Sequence, residues 1–239
     1  MRHLMMPVLV AFAAFPLAAQ SADAILAKHL QAMGGIEKLR AVHAIRLKGT
    51  LEAAPGVQLP LVIEEARPNK ARLEARDGDI TFLRLFDGTK GWSSDPSTGG
   101  VLRPFTAQEL KAALRDTFDG DLVDLAARGA RLESTGRQLI QGREAYGLKV
   151  VEADGKTSLH WIDAQSFLEV QREEDMETAQ GRRTQLMRFS DFRIVEGMPM
   201  AFRVESGQKF SSKVQIIQIS QVQMNPVIPD SDFEAPARR

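Results

Sequence analysis

The feature that most constrains the fold is a change of hydrophobic period at Ala44. From this residue onward apolar side chains recur at every second position, which is typical of strands with one buried face. In the segment 57–64 the alternating apolar residues are Val57, Leu59, Leu61 and Ile63. The same period returns through most of the remaining chain, so the sequence predicts a mainly β protein.

Tight-turn signals separate the predicted strands. They are Asp77-Gly78, Asp87-Gly88, Asp154-Gly155 and Glu196-Gly197. Short turns of this kind join antiparallel neighbours, because parallel strands need a long crossover connection. We therefore expect about eleven strands in a curled antiparallel sheet, which forms an incomplete barrel.

Two or three helices interrupt this pattern. The first follows a cap at Asp23 and stops at Gly34-Gly35, and the second begins with the capping box Thr106-Ala-Gln-Glu109. A third, short piece is expected at 122–127. The predicted fold class is thus mainly β (α+β), with the helices covering the concave face of the sheet.

The N-terminal segment 1–19 has the pattern of a signal peptide. A basic start at Arg2 and His3 precedes an almost wholly apolar run from Leu4 to Leu17, which ends in small residues. The run is shorter than the roughly 20 residues that span a bilayer, although a retained anchor helix is the alternative. We expect cleavage after Ala19 and one domain over 20–239.

Composition narrows the class of protein further. The chain has no cysteine, which excludes disulfides, thiolate chemistry and a lipid anchor on a cysteine after the signal peptide. Its 31 basic and 31 acidic residues balance, so nothing in the charge favours nucleic acid. We expect a periplasmic protein that is exported, cleaved and not lipid-anchored.

Motifs for catalysis or metal binding are missing from the sequence. The four histidines are isolated, and a structural role is expected for His160 beside Trp161. The acidic run 173–177 is expected to point into solvent from a turn, and no serine nucleophile motif or phosphate loop occurs. We therefore predict no catalytic residue, no metal, no cofactor and no enzyme activity, while a hydrolase built from scattered carboxylates stays open.

Four segments of the sequence are informative through their order. The first is the opening helix with Gly34-Gly35-Ile36-Glu37-Lys38-Leu39, and the second is Arg67-Pro68-Asn69. The third is Phe86-Asp87-Gly88 with Trp92 and Asp95-Pro96. The last comprises Asn225-Pro226, Asp230 and 233–236. Together they cover almost the whole chain after residue 19, and in this order they resemble the LolA/LolB-like periplasmic lipoprotein carriers, in particular their outer membrane lipoprotein-sorting group.

This resemblance implies an incomplete β-barrel whose helices form a lid over an apolar cavity for acyl chains. It implies that Arg67 hydrogen-bonds helix or loop carbonyl groups in the closed state and that Trp92 lines the cavity or packs under the lid. The ligand-binding residues predicted on this basis are Arg67, Trp92, Leu59, Leu61, Ile63 and Phe82, with Leu83 as a further wall residue.

Three functions follow from the sequence. The first is a carrier or chaperone that binds the acyl chains of lipoproteins or other lipids and transfers them toward the outer membrane, as a monomer, between membrane-bound donor and acceptor proteins. The second is a sensor or interaction domain that binds a lipidated or membrane protein. The third, a hydrolase, predicts mutually hydrogen-bonded ionisable side chains clustered in a cleft.

Overall fold

A computed structural model describes residues 20–94, 99–116, 118–178 and 181–236. The predicted signal peptide and the Asp95-Pro96 pair lie outside the described residues. Within the described ranges, no helix is both long and apolar enough to cross a membrane.

The part of the chain that the structure describes contains three α-helices. Helix α1 spans Ala22–Ala32, α2 spans Ile36–Ala41 and α3 spans Ala107–Ala113. The cap of α1 is Ser21, whose side chain accepts a hydrogen bond from the Ala24 amide, so the expectation of a cap at Asp23 is wrong. The capping box between Thr106 and Glu109 is confirmed.

Within the described ranges thirteen strands form one antiparallel sheet, and the first six precede α3 in the chain. They are β1 (Ala44–Ala54), β2 (Val57–Ala66), β3 (Lys70–Asp77), β4 (Ile80–Phe86), β5 (Gly91–Ser93) and β6 (Arg103–Pro104). The remaining seven are β7 (Arg131–Ile140), β8 (Arg143–Val151), β9 (Thr157–Asp163), β10 (Glu169–Thr178), β11 (Gly181–Val195), β12 (Met198–Gln208) and β13 (Val214–Met224).

The strand count corrects the prediction of about eleven. The short strand β5 is expected around Trp92, whereas the sequence does not indicate β6, which has only two residues. Alternation cannot be recognised over two positions, because a period of two needs at least four residues to stand out. The mainly β class, the antiparallel pairing and the open, curled sheet are confirmed.

The order of the strands divides the sheet into two halves that meet at its centre. Strands β6 to β1 follow one another to the pair β1–β13, and strands β13 to β7 continue to the other edge. Consequently β6 and β7 are consecutive in the chain but lie at opposite edges. The segment that joins them has to cross a whole face of the sheet.

A β-bulge lies at the junction of the two halves. The register of β1 and β13 shifts between Lys48 and Gly49, and a Cβ on Gly49 would lie 2.1 Å from the carbonyl oxygen of Gln218. Glycine is required here because the two backbones approach too closely for a side chain. The bulge adds twist and bend, which helps the sheet to curl.

Helix α1 identifies the concave face. Ile25 is 1% exposed and packs in one cluster with Tyr146, Leu148, Val150 and Ile162 of strands β8 and β9. Side chains of paired residues in an antiparallel sheet lie on the same face, so the register extends this face across all strands.

Candidate functional site

The concave face carries a continuous strip of large apolar side chains that are only half-buried. On the register they all share one face. They are Leu47 and Leu51 of β1, Leu59 and Ile63 of β2, Leu73 of β3, Phe82 of β4, Met187 and Phe189 of β11, Val204 of β12, and Ile217 and Val222 of β13. We call this set the apolar strip.

The opposite, convex face of the same strands is charged. Glu64 accepts hydrogen bonds from Arg46 at 2.5 Å and Arg72 at 2.9 Å, and Glu74 accepts one from Arg76 at 2.6 Å. Burial alone would raise the pKa of Glu64, but the two guanidinium groups outweigh it and lower the pKa. An antiparallel sheet commonly has one polar face in solvent and one apolar face that packs on the interior. The charged convex face is therefore the outer surface, and the apolar strip lies on the inner face.

Four of the residues predicted from sequence lie together on the concave face. Leu59, Ile63 and Phe82 belong to the apolar strip, and Leu61 lies between them at 3% exposure. The register brings Leu61 and Phe82 to the same face through Ala75 of β3. Their role in binding a ligand stays a prediction.

Trp92 and Leu83 lie on the convex face instead. Trp92 pairs with Leu85, which pairs with Arg72, and Leu83 pairs with Glu74. The C-terminal segment covers this part of the convex face: Phe233 is fully buried, and its 3₁₀ helix, Asp230–Phe233, packs on β3. The structure therefore separates Trp92 from the four residues on the concave face.

Arg67, in the β2–β3 turn, binds two other segments at once. Its Nε donates to the carbonyl oxygen of Val42 at 2.8 Å and its Nη2 to that of Leu39 at 3.1 Å. Both guanidinium nitrogens also bind the carboxylate of Asp119, one of them at 2.5 Å, and the guanidinium carbon lies 4.8 Å from the centre of the Phe118 ring. Arg67 thus donates to helix carbonyl groups in the way that the resemblance implies.

Residues 114–116 and 118–130, which we call the strap, lie between α3 and β7 in the chain and run over the concave face. Arg67 holds the strap at Asp119, and Arg40 of α2 holds it at Asp124 with a 2.8 Å bond. At the other half of the sheet Arg115 pairs with Asp154 in the β8–β9 turn. Ion pairs therefore fasten the strap to both halves of the sheet and to α2.

A buried chain of polar side chains lies on the concave face of β9. His160 is fully buried; its Nε2 lies 2.9 Å from the hydroxyl oxygen of Ser158 and its Nδ1 lies 2.7 Å from the carboxylate of Glu169. Arg172 binds both oxygens of Glu169 at 2.9 and 2.8 Å. Burial would raise the pKa of Glu169, but the charges of Arg172 and His160 hold it far below the usual range.

A cavity of about 300 Å³ opens beside this chain, between the strap and the β8–β9 turn. Its lining includes Ser158 of β9, Lys156 of the β8–β9 turn, and Arg115, Asp121 and Arg128 of the strap. Most of the residues that line the cavity are charged or polar, in contrast to the apolar strip. Only β10 separates β9 from β11, the outermost strand of the strip, so the sites for an apolar and for a polar ligand group are close to each other.

Glu65 introduces an acidic group at the apolar side of the concave face. Its pairing with Ile45 and Ala71 places it on that face of β2. Burial raises the pKa of Glu65, and the negative charge of Asp116 on the strap raises it further. A carboxyl group that protonates more readily than usual is better tolerated near apolar side chains.

The polar chain was not recognised from sequence. A structural role was expected for His160, and the acidic run 173–177 was expected in a solvent-facing turn; instead Glu174 and Asp175 lie in β10 and bind Lys156 at 3.8 Å and Arg182 at 2.8 Å. The available signal is the i, i+2 spacing of Ser158 and His160, which places both side chains on one face of β9. Among the described residues, no group of three or more His, Asp or Glu side chains could hold a metal.

Comparisons with known proteins identify the fold. No protein-family model matches the sequence, and no curated protein is significantly similar to it. Among solved structures, a DUF1329 family protein from Desulfovibrio piger has a TM-score of 0.60 at 12% identity, covering 90% of this chain and 97% of its own.

Two further solved structures share this fold. A LolA superfamily protein from Nitrosomonas europaea has a TM-score of 0.56 at 16% identity, with 91% of this chain and 99% of its own covered. A domain from Vibrio parahaemolyticus named for outer membrane lipoprotein sorting has a TM-score of 0.55 at 10% identity, with coverages of 87% and 97%. The fold of this chain is that of LolA superfamily proteins and outer membrane lipoprotein-sorting domains.

Proposed function

We propose that this protein is a periplasmic carrier that binds the acyl chains of lipoproteins or other lipids on the apolar strip. Bound lipid would travel under the helices and the strap toward the outer membrane, between membrane-bound donor and acceptor proteins. The protein would act as an exported monomer without an anchor of its own. The half-buried apolar strip on the concave face is the observation that carries this proposal.

The energetics of the apolar strip favour an apolar ligand. Large apolar patches on monomeric proteins mark binding sites, since each fully buried aliphatic or aromatic side chain is worth roughly 1.5–3 kcal/mol. Here the strip lies on the same face of the sheet as α1, yet its members keep part of their surface uncovered. Bound acyl chains would cover the apolar surface of the strip that the protein leaves exposed.

The strap and α2 supply a cover that can open. Ion pairs at or near the surface hold them: Arg40 of α2 pairs with Asp124 of the strap, both about half-exposed, and Arg115 of the strap pairs with Asp154 of the β8–β9 turn, at 33% and 45% exposure. Exposed ion pairs contribute little stability each, so the cover can detach without unfolding the sheet. In this proposal Arg67 controls opening, because it binds α2 and the strap together.

The first test measures binding of a fluorescent fatty-acid probe to the purified protein and identifies lipid that copurifies from the periplasm by mass spectrometry. Ile63 and Val62 are half-buried neighbours on opposite faces of β2, which makes them a matched pair. We expect Ile63→Asp to reduce probe affinity at least tenfold and Val62→Asp to leave it within about twofold. A tenfold change in affinity corresponds to about 1.4 kcal/mol of binding free energy. Circular dichroism checks that both variants fold.

Equal effects of the two variants, or no copurifying lipid and no probe binding in the wild type, would reject carriage. A stable complex with a membrane protein, without lipid exchange between donor and acceptor vesicles, would instead favour the interaction-domain function. For the cover, we expect Arg67→Leu to accelerate probe dissociation, measured by stopped-flow displacement. An unchanged dissociation rate would remove Arg67 from the gating step.

A further inference from the structure

The polar chain on β9 has the arrangement of a nucleophile, a base and an orienting acid. Ser158 and His160 are two residues apart on one strand, so both side chains point to the concave face. The Ser158 oxygen lies 2.9 Å from Nε2 of His160, and Nδ1 of the same ring lies 2.7 Å from Glu169. These two distances meet the geometric requirement for activating a serine hydroxyl.

The tautomer of His160 follows from its partners. An ionised carboxylate only accepts hydrogen bonds, so the Nδ1–H group donates to Glu169 and Nε2 is left to accept from the Ser158 hydroxyl. Arg172 grips both oxygens of Glu169 and fixes the direction of the carboxylate. The base is therefore oriented before any substrate arrives.

Access to the hydroxyl comes from the cavity of about 300 Å³, which Ser158 lines. A charged group to stabilise an oxyanion is also present there. Arg115 and Arg128 are engaged by close oxygen partners, whereas the ammonium group of Lys156 has its nearest carboxylate, Glu174, at 3.8 Å. Lys156 is the cation in this lining that is freest to bind a developing negative charge.

We propose that Ser158, His160 and Lys156 form a hydrolytic centre for acyl esters, with Glu169 and Arg172 as positioning residues. This activity goes beyond lipid carriage and does not depend on it. The nearby apolar strip suits the acyl group of such an ester, while the polar cavity suits its carbonyl and alcohol ends. Asp121 of the strap places its carboxylate 3.7 Å from Nε2 of His160.

The chemical step balances without a cofactor. The Ser158 oxygen attacks the ester carbonyl carbon, His160 Nε2 takes the hydroxyl proton, and Lys156 binds the resulting oxyanion. The tetrahedral intermediate expels the alcohol, which receives the proton from His160, and an acyl-serine remains. Water then attacks the acyl-serine, with His160 again as base, and releases the fatty acid and free Ser158.

The test uses the full-length protein in two assays. A biotinylated fluorophosphonate labels serines activated in this way, and mass spectrometry of peptides locates the label; hydrolysis of p-nitrophenyl butyrate gives the rate. Ser158→Ala removes the nucleophile, and Ser206→Ala is the matched control, because Ser206 is a strand serine on the same face that hydrogen-bonds Gln185. His160→Gln removes the base.

We expect label on Ser158 in the wild type and in Ser206→Ala, no label at position 158 in Ser158→Ala, and at least a tenfold slower reaction in His160→Gln. Absence of label on Ser158 in the folded wild type, or ester hydrolysis by Ser158→Ala at the wild-type rate, would overturn the proposal. If His160→Gln fails to fold, the location of the label in the wild type and the Ser158→Ala rate still decide it.

Discussion

The guanidinium group of Arg67 and the carboxylate of Asp119 form an ion pair through two nitrogens, which joins the β2–β3 turn to the strap. The same guanidinium group binds the last carbonyl oxygens of α2. A single side chain therefore connects the sheet with both parts of its cover. Its planar, forked geometry is what allows three partners at once.

We expect Arg67→Lys to lower the free energy of unfolding by about 1–3 kcal/mol, because lysine keeps the charge but loses most of these hydrogen bonds. Urea unfolding followed by circular dichroism measures the change. The control is Arg193→Lys, which alters an arginine that also binds an aspartate, Asp191, through two nitrogens, but on the surface. Equal losses in the two variants would show that the position of Arg67 has no special importance.

Gly49→Ala tests the junction of the two halves of the sheet. The added methyl group would meet the backbone of Gln218, which cannot rotate away. We expect a loss of about 1–3 kcal/mol in the free energy of unfolding, as for other overpacked sites. Lys48→Ala, at the exposed neighbouring position, should change it by less than about 0.5 kcal/mol. A stable Gly49→Ala variant would mean that β1 and β13 can separate locally without cost.

Glu109 connects the stability of α3 to acidic pH. Hydrogen bonds from Arg103, and then from Thr106, lower the pKa of Glu109 to about 2 against the opposing effect of burial. Because the pKa of Glu109 is lower in the folded protein than its unfolded value of about 4.3, the ionised carboxylate stabilises the fold at pH values above about 4.3. This contribution is lost as the pH falls toward about 2. Unfolding free energies of the wild type and Glu109→Gln should therefore converge between pH 4.5 and 2. Curves that stay parallel in this window would contradict the assignment.

His29 produces a pH dependence near neutrality. Burial lowers its pKa, and nearby Arg172 and His160 add to this, although the Phe167 carbonyl oxygen and Glu169 favour the charged form. The unfolded chain then binds more protons below about pH 6.5, so stability falls as pH decreases, by up to about 1.4 kcal/mol per pH unit. Urea midpoints between pH 7.5 and 5.5 measure this slope.

We expect His29→Gln to flatten the slope and His43→Gln, at an exposed position, to keep it. The glutamine side chain can still donate to the Phe167 carbonyl oxygen, so the variant should fold at pH 7.5. An identical slope in His29→Gln and the wild type would place the responsible group elsewhere in the protein.

Much of the architecture is readable from the sequence because it depends on local rules. Alternation and Asp-Gly turns predict the long hairpins, and Thr106 with Glu109 predicts the start of α3. Two errors also have local causes. Strand β6 is too short to show a period, and the acidic run 173–177 resembles a solvent-facing turn because its basic partners, such as Lys156 and Arg182, lie on other segments.

The candidate site is less readable, because its members are brought together by pairing over long distances. Alternation places Leu59, Leu61 and Ile63 on one face of β2, but only the register of β3 and β4 adds Phe82 to that face and sends Trp92 to the other. The approach of Glu169 to His160 likewise depends on the turn between β9 and β10, where sequence patterns give no direction for a side chain.

By itself the sequence determined a mainly β chain with hairpin connections, capped helices, no cysteine chemistry and a signal-like N-terminus, since each of these follows from neighbouring residues. Only the tertiary structure decided that the halves join at β1 and β13, that the strap crosses the concave face, and that Arg67 meets Asp119. These relationships depend on which strands pair and in which register. Burial across the whole fold sets that pairing, and no single segment determines it.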